Sequence, residues 1–196
     1  VSRAELRTGD DGKTRCGWVG NDAEYERYHD EEWGYPLHGD RALFEKLSLE
    51  GFQAGLSWIT ILRRRPTFRA AFRDFDIDTV AAFDDTDIER LMADPGIIRN
   101  RAKVEATISN ARVTRALVAE DPGALDRLVW SFAPSASRAR PSTFAEVPAV
   151  TAEATALSTA LKKLGYRFVG PTTMYALMQS AGLVDDHLVG CWRAAS

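Results

Sequence analysis

From residue 40 onward the apolar side chains recur three or four residues apart, and no stretch alternates apolar and polar residues over a strand's length. That is the period of a helix with one buried face, so a mostly helical fold is indicated before any motif is considered. Leu43, Phe44 and Leu47 follow Asp40, a residue suited to cap the helix they share. Residues 56–62 are apolar enough for a buried helix. Pro66 is expected to break that run, with Phe68, Ala71, Phe72 and Phe75 continuing at helical spacing. Thr86 and Glu89 suggest a capping box ahead of Leu91 and Met92, and Asp94-Pro95-Gly96 then ends that helix. Further helices are expected over about 99–119, through Leu125, Leu128, Val129 and Phe132, over 151–164 before Gly165, and from Pro171 to Gly182. Residues 133–150, rich in Ser, Ala, Pro and Arg, form a loop or linker in this reading. The predicted class is all-α.

A chain of 196 residues can bury a core without cross-links, and two cysteines exclude a disulfide scaffold. No apolar run is long enough to cross a bilayer. Residues 1–14 lack the apolar stretch of a secretory signal. They are expected to be a frayed, disordered leader to a single helical domain over 15–196, a monomer in a bacterial cytoplasm. The net charge of −3 speaks against nucleic-acid binding. Arg63 to Arg65, the group Arg99, Arg101 and Lys103, and the group Lys162, Lys163 and Arg167 are nonetheless local basic clusters. Such clusters either steer DNA or are ordinary solvated helix faces.

Two sets of residues carry chemistry. Cys16 and His29 near one end, with His187 and Cys191 near the other, would complete a tetrahedral zinc shell. The same residues also suit plain burial, with both cysteines as small hydrophobes. The second set lies between Cys16 and Trp58, where aromatics cluster in polar surroundings and Glu50 sits beside an apolar segment. Aromatic faces beside a carboxylate make a pocket for a flat cationic ring, although core aromatics with a solvated glutamate would give the same pattern. His38 has no cysteine near it and is expected at the surface. Residues 94–102 resemble a helix-hairpin-helix element, in which a Pro-Gly turn offers backbone N–H groups to phosphate. Ile98 stands where a second glycine is usual, and Arg99, Arg101 and Lys103 would supply part of the missing attraction.

Four stretches together resemble the bacterial 3-methyladenine DNA glycosylase I family across residues 15–192. They are Arg15-Cys16-Gly17-Trp18, Tyr28-His29-Asp30-Glu31-Glu32-Trp33-Gly34, the run from Leu49 to Trp58, and Phe168-Val169-Gly170 with the run from Asp186 to Cys191. The resemblance implies a helix-hairpin-helix glycosylase fold. Its hairpin part would span about 40–132, and 15–39 with 151–192 would form a zinc-binding part joining the two termini. It implies one structural zinc on Cys16, His29, His187 and Cys191, and a base pocket of Glu50, Tyr25, Tyr28, Trp33 and Trp58. Gly96, Arg99, Arg101 and Lys103 would meet the DNA. The chain departs from the family pattern at Phe52, in place of a glutamine, and at Trp192, in place of a cysteine.

The implied activity is hydrolysis of the N-glycosidic bond of 3-methyladenine in double-stranded DNA, leaving an abasic site. Glu50 would recognise the base first and assist catalysis second. Bifunctional relatives carry a lysine where this chain has Asn100, so a monofunctional enzyme is expected. The alternatives are a zinc hydrolase or deaminase with Glu50 as base, and a non-catalytic DNA-binding module. Four protein ligands on the metal argue against the first, and Glu50 amid the aromatics against the second.

Overall fold

The computed structural model describes residues 4–136 and 138–195. Among them, two short strands precede the helices: β1 (Leu6–Thr8) and β2 (Thr14–Cys16). The helices are α1 (Ala23–Glu31), α2 (Asp40–Gln53), α3 (Trp58–Ala71), α4 (Ile77–Ala81), α5 (Asp85–Ala93), α6 (Arg101–Glu120), α7 (Ala124–Trp130), α8 (Ala152–Lys163) and α9 (Pro171–Ser180). No helix among the described residues is long and apolar enough to cross a membrane. The all-α reading holds, with one small exception at the N-terminus.

That exception corrects the expectation of a structureless leader. Leu6 pairs with Cys16 and Thr8 with Thr14 in an antiparallel hairpin. The hairpin is anchored because Arg7 donates to Glu26 (2.7 Å) and the Glu5 carboxylate accepts from the Phe144 amide (2.7 Å). Leu6 also covers a small apolar cluster of Cys16, Leu188 and Cys191, so these residues tie both ends of the chain together. A three-residue strand is too short to show an alternating pattern, and its anchors lie far along the chain.

Helix α2 is the axis of the main core and touches α3, α6, α7 and α9. It is buried on nearly every side from Leu43 to Phe52, not on a single face as its three leading apolar residues suggest. Asp40 does not cap it. Gly39 takes that position, and the Asp40 carboxylate instead accepts from the amides of Gly123 (2.7 Å) and Asp126 (3.0 Å), pinning the start of α7. Pro66 does not break α3, which runs through it. The ring removes one intrahelical donor, and the packing of Ile61, Leu62 and Phe68 keeps both halves in one helix. The capping box at α5 is Asp84 with Asp87, not Thr86 with Glu89. Helices α8 and α9 contribute Ala154, Leu157, Leu161, Met174 and Leu177 to the main core.

Candidate active site

The C-terminal half of α2 places Glu50 and Gln53 on one side and Phe52 on the other, as helical geometry requires. Glu50 and Gln53 line a cavity of about 430 Å³, whereas Phe52 points into the core against Phe68 (4.7 Å between ring centroids) and Phe72. The substitution at position 52 therefore leaves the cavity lining alone. All five residues expected in a base pocket, Glu50, Tyr25, Tyr28, Trp33 and Trp58, line this one cavity.

The walls come from separate elements held by specific bonds. Tyr25 and Tyr28, one turn apart on α1, are set by Asp22, whose carboxylate accepts from the Glu24 and Tyr25 amides at 3.1 Å. The Tyr25 hydroxyl accepts from the Ile59 amide (2.9 Å), capping the first turn of α3 and fixing Trp58 beside it. The Trp18 ring packs edge-on to Tyr25 (5.3 Å) and Trp33 (5.2 Å). The Tyr28 and Trp58 rings lie 5.5 Å apart, tilted by 43°.

Glu50 is 3% exposed. Its Oε1 accepts from the Ser180 hydroxyl (2.9 Å), and its Oε2 is buried without a partner. Burial raises its pKa, and Lys46 and Ser180 pull it back. The indole N–H of Trp58 is likewise buried and unpaired. An orphaned acceptor and an orphaned donor are costly in a finished core, so both point to a ligand that completes them. Sequence patterns missed Gln53, Gln179, Ser180 and Lys46 as parts of this environment. Ser180 and Gln179 reach it from the far end of α9, and only the tertiary fold brings them there.

The Cys/His set lies directly behind the Trp33 wall. The ligating atoms of Cys16, His29 and Cys191 lie within 4.8 Å of one another, all buried. The His187 ring packs against that of His29 (5.1 Å), and its Nε2 is buried with no partner. Each imidazole is oriented through Nδ1, His29 by Asp30 (2.9 Å) and His187 by Asp185 (2.8 Å), which turns both Nε2 atoms inward. Burial alone would raise the Asp30 carboxyl, but hydrogen bonds from Arg15, His29 and Trp192 outweigh it and bring the pKa to about 2. Trp192, in place of a family cysteine, thus steadies the carboxylate that orients His29 (3.0 Å). Gly34 closes the site. A Cβ there would lie 2.7 Å from the His187 ring, and its φ of +80° excludes most other residues. Two sulfurs and one nitrogen are gathered here, and the buried, unpaired Nε2 of the neighbouring His187 would be the fourth donor of the kind a structural zinc takes. Trp33 packs on His187 at 4.5 Å, so the same site steadies the cavity wall.

The residues expected at DNA divide. The turn between α5 and α6 is a hairpin, and Asn100 caps α6 by accepting from the Lys103 amide (3.2 Å). Arg99 is exposed, and Arg101 is exposed but paired with Glu89 (2.6 Å). Lys103 does not reach the surface. Its ammonium is buried and donates to the carbonyls of Phe52 (2.9 Å) and Ala54 (2.6 Å), completing the end of α2. The Gly96 amide is already taken by Asp94 (2.7 Å). Both are corrections to the expected phosphate contacts: the helix end and the Asp-Pro-Gly turn need those donors themselves. His38 is exposed, as expected, and stacks on Trp130 at 4.4 Å.

A helical fold closing on an aromatic cavity, with one buried acceptor at its end, defines a site for a flat ring bearing a hydrogen-bond donor. The sequence model of the family described as methyladenine glycosylase matches residues 18–194. The chain is 49% identical over 180 residues to DNA-3-methyladenine glycosylase 1 of Escherichia coli, covering 90% of this chain and 95% of that protein. It is 46% identical over 179 residues to DNA-3-methyladenine glycosylase of Haemophilus influenzae, covering 91% and 96%. A crystal structure of a 3-methyladenine DNA glycosylase I superposes with a TM-score of 0.87 at 45% identity, over 91% of this chain and 98% of that one. The Staphylococcus aureus enzyme, whose structure addresses 3-methyladenine recognition, gives 0.85 at 36% identity over 91% and 95%. The chain belongs to the methyladenine glycosylase family.

Proposed function

We propose that this protein excises 3-methyladenine from alkylated double-stranded DNA by hydrolysing the N-glycosidic bond, and that Glu50 recognises the base. The observation that carries this reading is the unpaired Glu50 Oε2 inside the aromatic cavity. Methylation at N3 leaves adenine positively charged and weakens its bond to the sugar. The extruded base enters the cavity, where Tyr28, Trp58 and Trp33 offer their electron-rich faces to the cation. Glu50 Oε2 accepts from the exocyclic amine and adds an opposite charge. Water attacks the sugar carbon, the base departs neutral, and a proton is released to solvent. A good leaving group of this kind needs no strong general acid.

The residues at the metal-type site support a further part of the reading. Cys16, His29, His187 and Cys191 would hold one zinc with a closed shell, and bound zinc would supply structural cross-linking and no open position for water. Glu50 is not among the donors gathered there, which speaks against a zinc-activated hydrolase or deaminase. For DNA, the support is the hairpin. The N–H groups of Ile97, Ile98 and Arg99 have no partner among the described residues, and they adjoin the first turn of α6. A strand phosphate would complete them, with Arg99 nearby.

The same geometry favours hydrolysis without strand cleavage. Asn100 is a helix cap and its amide is not nucleophilic. Lys103 is held by two carbonyls, and Lys46 is not among the cavity-lining residues. Incubation with methylated duplex DNA should therefore produce abasic sites that break only on later heating in alkali. Borohydride added during the reaction should trap no protein–DNA adduct. A covalent adduct, or nicking by the protein itself, would contradict this mechanism.

A further inference from the structure

Lys46 is a buried charge near the cavity that the reading above leaves without a task. It is 8% exposed and sits one helical turn before Glu50 on α2. Its ammonium donates to the Tyr28 hydroxyl (3.0 Å) and lies over the Trp58 ring (4.5 Å) and the Tyr28 ring (5.0 Å). Among the described residues its one hydrogen-bond acceptor is therefore a phenol. A buried ammonium held in this way is costly, and an apolar side chain of similar length would fill the same space more favourably. Ser180 joins the same environment, since it donates to the Glu50 carboxylate. Lys46 and Ser180 also line a second cavity of about 240 Å³.

We propose that Lys46 is a positioning residue for base recognition, acting on the buried Glu50 carboxylate from one turn away on α2 and fixing the Tyr28 phenol. This rests on the assignment of Glu50 as the base acceptor. Burial penalises the Glu50 carboxylate, and Lys46 is the cation that opposes that penalty. Burial also draws Lys46 itself down to about 8. The other charged or titratable groups around Lys46 are Tyr28 of α1, Glu32 just after it, Glu45 of α2 and Arg65 of α3. Glu32 and Arg65 are bonded to each other (2.8 Å) and Glu45 to Arg69 (2.8 Å), so each carries its own counter-charge.

The sign of the effect follows. Binding that needs the carboxylate is present above the Glu50 pKa and lost as pH falls through it. Without the Lys46 charge that pKa rises, so the loss begins at higher pH. Above about 8, where Lys46 loses its own proton, the charge-dependent part of the difference disappears. The test is fluorescence titration of free 3-methyladenine into wild type, K46M, K46Q, K46R and E50Q from pH 5 to 9. The ligand's own titration is common to all of them. K46M and K46Q should show the acid limb displaced upward by about one unit or more, with about tenfold weaker binding on that limb. K46R should keep the wild-type limb, and K46M added to E50Q should shift nothing further. A K46M or K46Q profile lowered by one factor at every pH, or an unmoved limb in a protein that melts as wild type does, would overturn the proposal. Equal binding by E50Q and wild type would instead remove the base-site assignment beneath it.

Discussion

Glu50→Gln is expected to weaken binding of free 3-methyladenine by about tenfold to a hundredfold at neutral pH, the worth of a hydrogen bond to a charged partner. The prediction follows from how the two carboxylate oxygens are used. Oε1 is held by Ser180, and Oε2 is buried and unpaired. Glutamine can keep the Ser180 contact and turn its NH₂ toward the ligand, which sets donor against donor. It can also flip, present its oxygen to the ligand, and let the Ser180 hydroxyl accept from the NH₂. Either way the charged acceptor for the exocyclic amine is gone, so some loss is unavoidable. Trp18, Trp33 and Trp58 line the cavity and make intrinsic fluorescence the natural reporter. Equal affinity in both proteins would remove Glu50 from recognition.

Cys191→Ala should remove zinc from the purified protein and lower its stability by about 3 kcal/mol or more, a fall of roughly 6–12 °C in Tm for a chain of this size. The loss exceeds that of a buried methyl-sized truncation because a cross-link between the two chain ends disappears with the metal. The wild-type protein treated with a strong chelator should melt close to the variant, and the variant should no longer respond to chelator. Base affinity of the folded variant should change less, since Glu50 and Ser180 lie outside the donor set, with a moderate effect passing through His187 and Trp33. Atomic analysis that finds no stoichiometric zinc in the wild type, together with a melting point unmoved by chelator, would show that the four donors are simply buried side chains.

Much of this is legible in the sequence. Helical periodicity located α6, α8 and α9 within a residue or two, because Asn100, Thr151 and Gly170-Pro171 supply local start signals. Local signals misled where a tertiary partner took the group away. Asp40 looked like a cap, but its carboxylate is used by α7, and Lys103 looked like a phosphate contact, but it is needed at the end of α2. The N-terminal hairpin was invisible because what anchors Leu6 and Glu5 lies beyond residue 140. In the site itself, Glu50 and four aromatics were found because they cluster in sequence near a recognisable motif. Ser180 was missed because it is 130 residues away from the carboxylate it serves. Lys46 was missed because a lysine in a helix ordinarily faces water.

The central claim is that the Glu50 cavity takes up one methylated base and releases it from DNA. It is tested most directly by incubating methylated duplex DNA with the pure protein and separating the freed bases by chromatography. The account predicts a time-dependent 3-methyladenine peak from the wild type and a much smaller one from Glu50→Gln at equal protein concentration. Absence of any 3-methyladenine peak from folded wild-type protein would contradict it.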